Sequence, residues 1–210
     1  MEDTQYNVNQ PNPAIAKLVF TIREKCRMCY TCVRECPAKA IRIAGGQAEV
    51  ITERCIACGN CIKVCSQNAK VFSSEIDPVT KLIQSGAKVI ALVAPSFPAE
   101  FADIPDHQVF VGMIRKLGFR HVTEVAFGAD LVARKYKEQL DNGLPAISSD
   151  CPAIVSYIER YYPDLVGNLA EVVSPMVAMA RVVRSIYGVD SILVFIGPCL
   201  AKKAESNNNV

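Results

Sequence analysis

Eight of the ten cysteines in this 210-residue chain fall into two copies of one spacing. Cys26, Cys29, Cys32 and Cys36 are separated by two, two and three residues, with Pro37 following, and Cys55, Cys58, Cys61 and Cys65 repeat the run. Three sulfurs at two-residue intervals wrap a loop around three corners of an iron–sulfur cube. The fourth, three residues further on, stands at the start of a turn of helix that points away, so it serves the other copy. The spacing therefore predicts two [4Fe–4S] clusters with exchanged fourth ligands. One is held by Cys26, Cys29, Cys32 and Cys65, the other by Cys55, Cys58, Cys61 and Cys36. Such centres pass single electrons. Zinc also uses paired Cys-x2-Cys motifs, but it takes two pairs per ion rather than three close cysteines and a distant fourth. Disulfides need an oxidising compartment, which nothing in the sequence suggests.

These ligands need an internally duplicated scaffold. Short strands are expected over Val19–Ile22, Ala40–Ile43, Glu49–Ile51 and Lys70–Phe72, with Gly45 and Gly46 turning a hairpin. The repeat of about thirty residues predicts a pseudo-twofold α+β module of bacterial-ferredoxin type over residues 18–74, after a tail over 1–17. Ser66 stands where the first copy has Pro37, a change in a turn and not in a ligand.

A connecting helix is expected over residues 75–87, with Asp77 as N-cap, Pro78 in the first helical position and Gly86 closing the end. Beyond it, over 88–210, strand and helix patterns alternate. Strands are expected at Lys88–Ala94, His121–Phe127, Pro145–Ser148 and Ser191–Ile196. Helices are expected at His107–Leu117, Ala129–Leu140, Pro152–Tyr162 and Pro175–Tyr187. This is the pattern of an α/β lobe with a four-stranded parallel sheet. Such sheets bind ligands beyond the carboxyl ends of their strands. The two remaining cysteines lie at two of those ends, Cys151 after Ser148-Ser149-Asp150 and Cys199 after Gly197-Pro198. A lone cysteine is commonly a buried structural residue. Two together at strand ends, behind two electron-carrying centres, point to a third metal site.

Composition narrows the partners. A net charge of +2 gives no reason to expect nucleic acid or an anionic membrane. The start of the chain has no signal-peptide pattern, and the apolar runs Val89–Ala94 and Ile192–Ile196 are too short to span a bilayer. A cytoplasmic protein without membrane insertion is expected. Arg23, Lys25, Arg27, Arg34 and Lys39 around the first cluster motif read as a solvated face that offsets the clusters' negative charge, with a docking face for an acidic redox partner as the alternative. His107 and His121 read as structural or exposed.

From about residue 20 to the end, the chain resembles the iron-only ([FeFe]) hydrogenases, through an accessory ferredoxin module and the first half of the catalytic domain. Ala94-Pro95-Ser96 is similar to a segment lining the family's active-site H-cluster, and Ser148-Ser149-Asp150-Cys151-Pro152 to its Thr-Ser-Cys-Cys-Pro motif. Tyr161-Tyr162-Pro163-Asp164-Leu165 and Ser174-Pro175-Met176 fit the sequel, and Gly197-Pro198-Cys199-x2-Lys202-Lys203-x-Glu205 resembles the second signature. The resemblance implies that Cys151 and Cys199 are two of the four thiolates on the H-cluster cubane, which is joined to a two-iron unit bearing CO and cyanide. It implies that Lys202 holds one cyanide and Ser96 donates a hydrogen bond to the other.

Departures from the family accompany it. Asp150 replaces a proton-carrying cysteine; an aspartate in water is ionised at neutral pH, where a cysteine arrives protonated. Tyr136 falls at a glutamate position of the usual proton path, Ala170 at a serine, and Gly197 at a methionine. The family's other two cubane ligands lie in a later segment, so the sequence reads as a truncated hydrogenase that is inactive alone. The expected partners are a redox protein or electron carrier, and a missing C-terminal half or another subunit. Two alternatives accompany this reading, a ferredoxin-type electron carrier without catalysis and a fragment of a hydrogen or redox sensor.

Overall fold

The computed structural model describes residues 18–104, 106–143 and 147–209, with side chains described up to residue 206. The chain forms two compact units, each assembled from separated stretches. The first comprises residues up to 73 with 151–169 and 199–208, and the second 74–150 with 170–198.

The first unit is built on the duplication. Strand β1 (Val19–Thr21) pairs antiparallel with β4 (Lys70–Phe72), and β2 (Ile41–Ala44) pairs antiparallel with β3 (Gln47–Val50). Gly45 and Gly46 both have positive φ, 57° and 78°, as the tight hairpin turn requires. Each cysteine run ends in a single helical turn, α1 (Thr31–Arg34) and α2 (Asn60–Lys63). The left-handed residues obey the same repeat: Met28 with Ala57, Tyr30 with Gly59 and Lys39 with Asn68 are each 29 positions apart. A side chain in that region costs about 1–2 kcal/mol, so the loops are held in shape against local preference. The buried core of this unit is small-grained, with Ala38, Ala40, Ala48 and Ala57 around Ile41 and Ile56.

Residues from the later stretches complete this unit. In α7 (Pro152–Tyr161), Ala153 joins the same core, and so do Ala201 and Ala204 of α9 (Leu200–Asn209). Arg160 donates to the carbonyls of Thr52 and Glu53 at 2.9 and 2.7 Å. The Tyr161 hydroxyl donates to the carbonyls of Ala38 and Arg54.

The second unit begins with α3 (Ile76–Gln84) and is centred on β5 (Val89–Val93), whose five residues are at most 2% exposed. β5 lies between β6 (His121–Glu124) and β7 (Ile192–Ile196), parallel to both. A strand buried on both faces has no polar alternation, which is why this one is continuously apolar. Its odd residues, Val89, Ala91 and Val93, pack with Val79, Leu82 and Ile83 of α3 and with Phe110 and Ile114 of α5 (His107–Lys116). Its even residues, Ile90 and Leu92, pack on Val125 of α6 (Val125–Asp141) and on Met179, Ala180 and Val183 of α8 (Pro175–Tyr187). A short helix, α4 (Phe97–Glu100), follows β5.

Three expectations need correction. The parallel sheet has three strands among the described residues, not four. Of the expected strand Pro145–Ser148, residues 145 and 146 lie outside the described residues, and the Ile147 carbonyl accepts from Ala170 N. The run His121–Phe127 divides at Glu124, because Val125, Gly128 and Val132 are buried at helical spacing and begin α6. The N-cap of α3 is Glu75, not Asp77, and Ser74 Oγ accepts from Ile76 N. The helix end at Gly86 holds, with φ of 78°.

Candidate metal centres

Two cavities in the first unit gather the cysteines. One is lined by Cys26, Cys29, Cys32 and Cys65, the other by Cys36, Cys55, Cys58 and Cys61. Each takes three cysteines from one repeat and one from the other, and each encloses about 360 Å³ including its open mouth. The positive-φ residues turn the Cys-x2-Cys loops so that their sulfurs line these spaces.

Backbone amides support the sulfurs in the same repeated register. Ala40 N donates to Cys36 Sγ at 3.2 Å, and Ala69 N donates to Cys65 Sγ at 3.3 Å. Ala57 N donates to Cys55 Sγ at 3.4 Å. Among the described residues no three metal-ligating side chains close around a single ion. A zinc ion needs its sulfurs at about 2.3 Å from one point. Four sulfurs gathered from both repeats around one cavity, with N–H donors beside them, suit the chemistry of a cluster.

Electrostatics differ around each ring. Burial pushes the Cys61 thiol up to about 12, and the ammonium of Lys70 pulls the other way. Burial likewise raises Cys32, against Lys70, and Cys55, against the Ala57 amide. The Thr31 hydroxyl, 3.4 Å from Cys29 Sγ, holds the Cys29 thiol below its ordinary range. Cys29 and Cys58, equivalent in the two repeats, are the solvent-exposed members of their sets.

The remaining sequence-derived residues are distributed over the two units. In the first, Cys151 and Cys199 each immediately precede a helix, α7 and α9. Cys151 is exposed, and Cys199 packs against the unit's core. Helix N-termini suit anionic ligands. Lys202 on α9 makes a largely buried ion pair with Glu205 at 3.3 Å. In the second unit, Ser96 is an exposed residue at the start of α4, and Asp150 ends the loop after Ser149.

That loop is fixed by Tyr136. Its hydroxyl accepts from Ser149 N at 2.8 Å and lies 3.0 Å from Ser149 Oγ, which donates to Val172 O. Gly197 also has a local reason. A Cβ there would come within 2.7 Å of both Ala94 Cβ and the Phe195 ring, so a methionine does not fit without rearrangement. Sequence reasoning missed Lys70, a buried lysine on the wall of the first cavity. Its signal was the internal repeat, since the equivalent residue of the first half is Ile41.

The comparisons agree with these two parts of the chain. Residues 18–66 match the 4Fe-4S dicluster domain, and residues 87–210 match the C-terminal domain of the iron only hydrogenase large subunit. The chain is 32% identical over 236 residues to the periplasmic [Fe] hydrogenase large subunit of Nitratidesulfovibrio vulgaris, covering 98% of this chain and 56% of that one. It is 30% identical over 155 residues to iron hydrogenase 1 of Clostridium pasteurianum, covering 64% and 27%. It is 28% identical over 169 residues to the NADP-reducing hydrogenase subunit HndD of Solidesulfovibrio fructosivorans, covering 68% and 29%. The chain thus spans about half the length of these curated relatives, or less. Among solved structures, HydA(deltaEFG), described with stepwise H-cluster assembly, gives a TM-score of 0.52 at 25% identity, covering 65% of this chain and 41% of that one. A HydA1 variant from Chlamydomonas reinhardtii gives 0.51 at 25%, covering 65% and 40%. Iron–sulfur clusters are therefore the cofactors of the duplicated module. With the dicluster domain at residues 18–66 and the hydrogenase domain over more than half its length, this chain belongs to the iron-only hydrogenase family.

Proposed function

We propose that this chain is the electron-input module and first lobe of an iron-only-hydrogenase-type oxidoreductase. The observation that carries the reading is the pair of cavities, each walled by three cysteines of one repeat and one of the other. In this reading Cys26, Cys29, Cys32 and Cys65 hold one [4Fe–4S] cluster, and Cys55, Cys58, Cys61 and Cys36 hold the second. Bound there, the clusters supply one-electron transfer; an H-cluster supplies hydrogen activation.

The chain's own residues do the rest. The amides of Ala40, Ala57 and Ala69 stabilise ligand sulfurs as anions. Exposed Cys29 and Cys58 mark the edges nearest an external redox protein or carrier. Cys151 and Cys199 supply two thiolates to the H-cluster cubane, and the other two come from a further segment or another subunit. The ion pair with Glu205 orients Lys202, whose ammonium is suited to a cyanide. By the family resemblance Ser96 donates to the second cyanide, and Asp150 stands at the proton-carrying position. Ten free thiols suit a reducing, cytoplasmic setting, and among the described residues no helix is long and apolar enough to cross a membrane.

A sensory role with slow turnover is the second reading, favoured by an aspartate, Asp150, where the family resemblance places a proton-carrying cysteine. Both are tested by co-maturing the full chain with a second lobe that carries the missing cysteine pair. CO and cyanide infrared bands are expected only in the combined protein, and their absence there overturns the half-site. Asp150→Cys is expected to raise turnover by roughly a hundredfold. Bands with unchanged turnover in that variant remove the proton-supply reading.

A further inference from the structure

Lysine is almost never fully buried unless paired, yet Lys70 is 3% exposed. Its ammonium donates to Thr21 Oγ1 at 2.6 Å and to the Ala48 carbonyl at 2.8 Å, and both acceptors are neutral. Thr21 in turn donates to the same Ala48 carbonyl. An ammonium has three donors, and among the described residues the third has no acceptor. Burying a charge among neutral groups is costly unless an anion compensates.

The duplication shows that the fold itself does not call for this charge. Lys70 pairs with Thr21 across β1 and β4, and the equivalent pair of the other half, 29 positions away, is Ile41 with Val50. There the same geometry is filled by two apolar side chains. The lysine also breaks the symmetry at an informative place. It lines the cavity of Cys26, Cys29, Cys32 and Cys65, and its field reaches Cys32 in that set and Cys61 in the other.

We infer that Lys70 is a built-in counter-charge shared by the two iron–sulfur clusters, which raises their reduction potentials and so eases electron uptake by the module. This rests on the two-cluster reading above. Four thiolates leave a cluster anionic, and each added electron increases that charge. A fixed cation in a low-dielectric wall therefore stabilises the reduced form more than the oxidised one. The effect is larger at the cluster whose cavity Lys70 lines.

The test compares the anaerobically reconstituted full chain with Lys70→Ile and Lys70→Arg by potentiometric EPR titration, with iron and sulfide measured on each. Lys70→Ile copies the other repeat. Thr21→Val/Lys70→Ile transplants the whole pair, so that an unpaired threonine does not obscure the result. With full iron content, either neutral form is expected to lower the reduction constant of the nearer cluster at least tenfold, about 59 mV for a one-electron couple. A smaller drop is expected at the other cluster, and values near wild type in Lys70→Arg. Full iron content with unchanged potentials overturns the inference and leaves the two-cluster reading intact. Wild-type protein without cluster iron overturns both. Should the neutral variants lose iron, the wild type labelled with nitrogen-15 lysine decides. A lysine coupling to the reduced-cluster spin that Lys70→Arg removes sustains the inference, and its absence ends it.

Discussion

At the scale of single residues, the module turns on where thiols lie relative to water and to charge. Burial drives Cys61 up to about 12 and raises Cys32 and Cys55, so these side chains remain neutral until a metal displaces their protons. Cluster assembly is therefore coupled to proton release, as metal–thiolate binding is in general. The exchange of fourth ligands makes a prediction that a simple count of cysteines does not. Cys26→Ser/Cys65→Ser removes two ligands of one proposed cluster and should leave the other, with roughly four irons per chain. Cys26→Ser/Cys36→Ser removes one ligand from each and should damage both. Iron analysis distinguishes them, and equal iron in the two double variants would contradict the exchange. These cysteine sets were legible in the sequence because a cube imposes its spacing on the chain. Lys70 left a single trace, the break in the repeat against Ile41, while its burial follows from what lies opposite it and from no local pattern.

At the scale of elements, the second unit depends on close packing of α6 against α8 under the even face of β5. Gly128 permits that approach. A Cβ at this position would lie 2.4 Å from the Pro175 carbonyl and 3.0 Å from Met179. Gly128→Ala should destabilise the fold by about 1–3 kcal/mol, read from denaturant melts, since the nearest obstacle is backbone and cannot turn aside. A loss below a few tenths of a kcal/mol would show that the helices separate easily. Helices α5 and α8 and strand β5 were readable from apolar periodicity and from glycine and proline boundaries, whereas the short α4 left no such pattern. The end of β6 was not, because Val125-Ala126-Phe127 continues its apolar run and only the partners of α6 decide that these residues are helical. Of the expected strand Pro145–Ser148, the described part shows Ile147 accepting from Ala170 N, a partner distant in sequence that no local pattern announces.

At the scale of the whole molecule, units built from separated stretches explain why function is spread along the sequence. The first unit takes Cys151 and Cys199 from late in the chain, alongside the duplicated module and its eight cysteines. Arg160 and Tyr161 tie α7 to the backbone of the second repeat across more than a hundred residues of sequence. A family resemblance was readable from motif order, but this interleaving was not, since it is set by long-range packing and leaves no periodic trace. The small alanine core of the first unit also fits a module whose centre is occupied by cofactor rather than by side chains. Iron and sulfide content decides whether that occupant is a pair of iron–sulfur clusters. Anaerobically purified full-length chain should contain roughly eight irons and eight sulfides, with the EPR spectrum of two interacting reduced [4Fe–4S] clusters after dithionite. Protein that is folded, holds zinc and contains no acid-labile sulfide would contradict it.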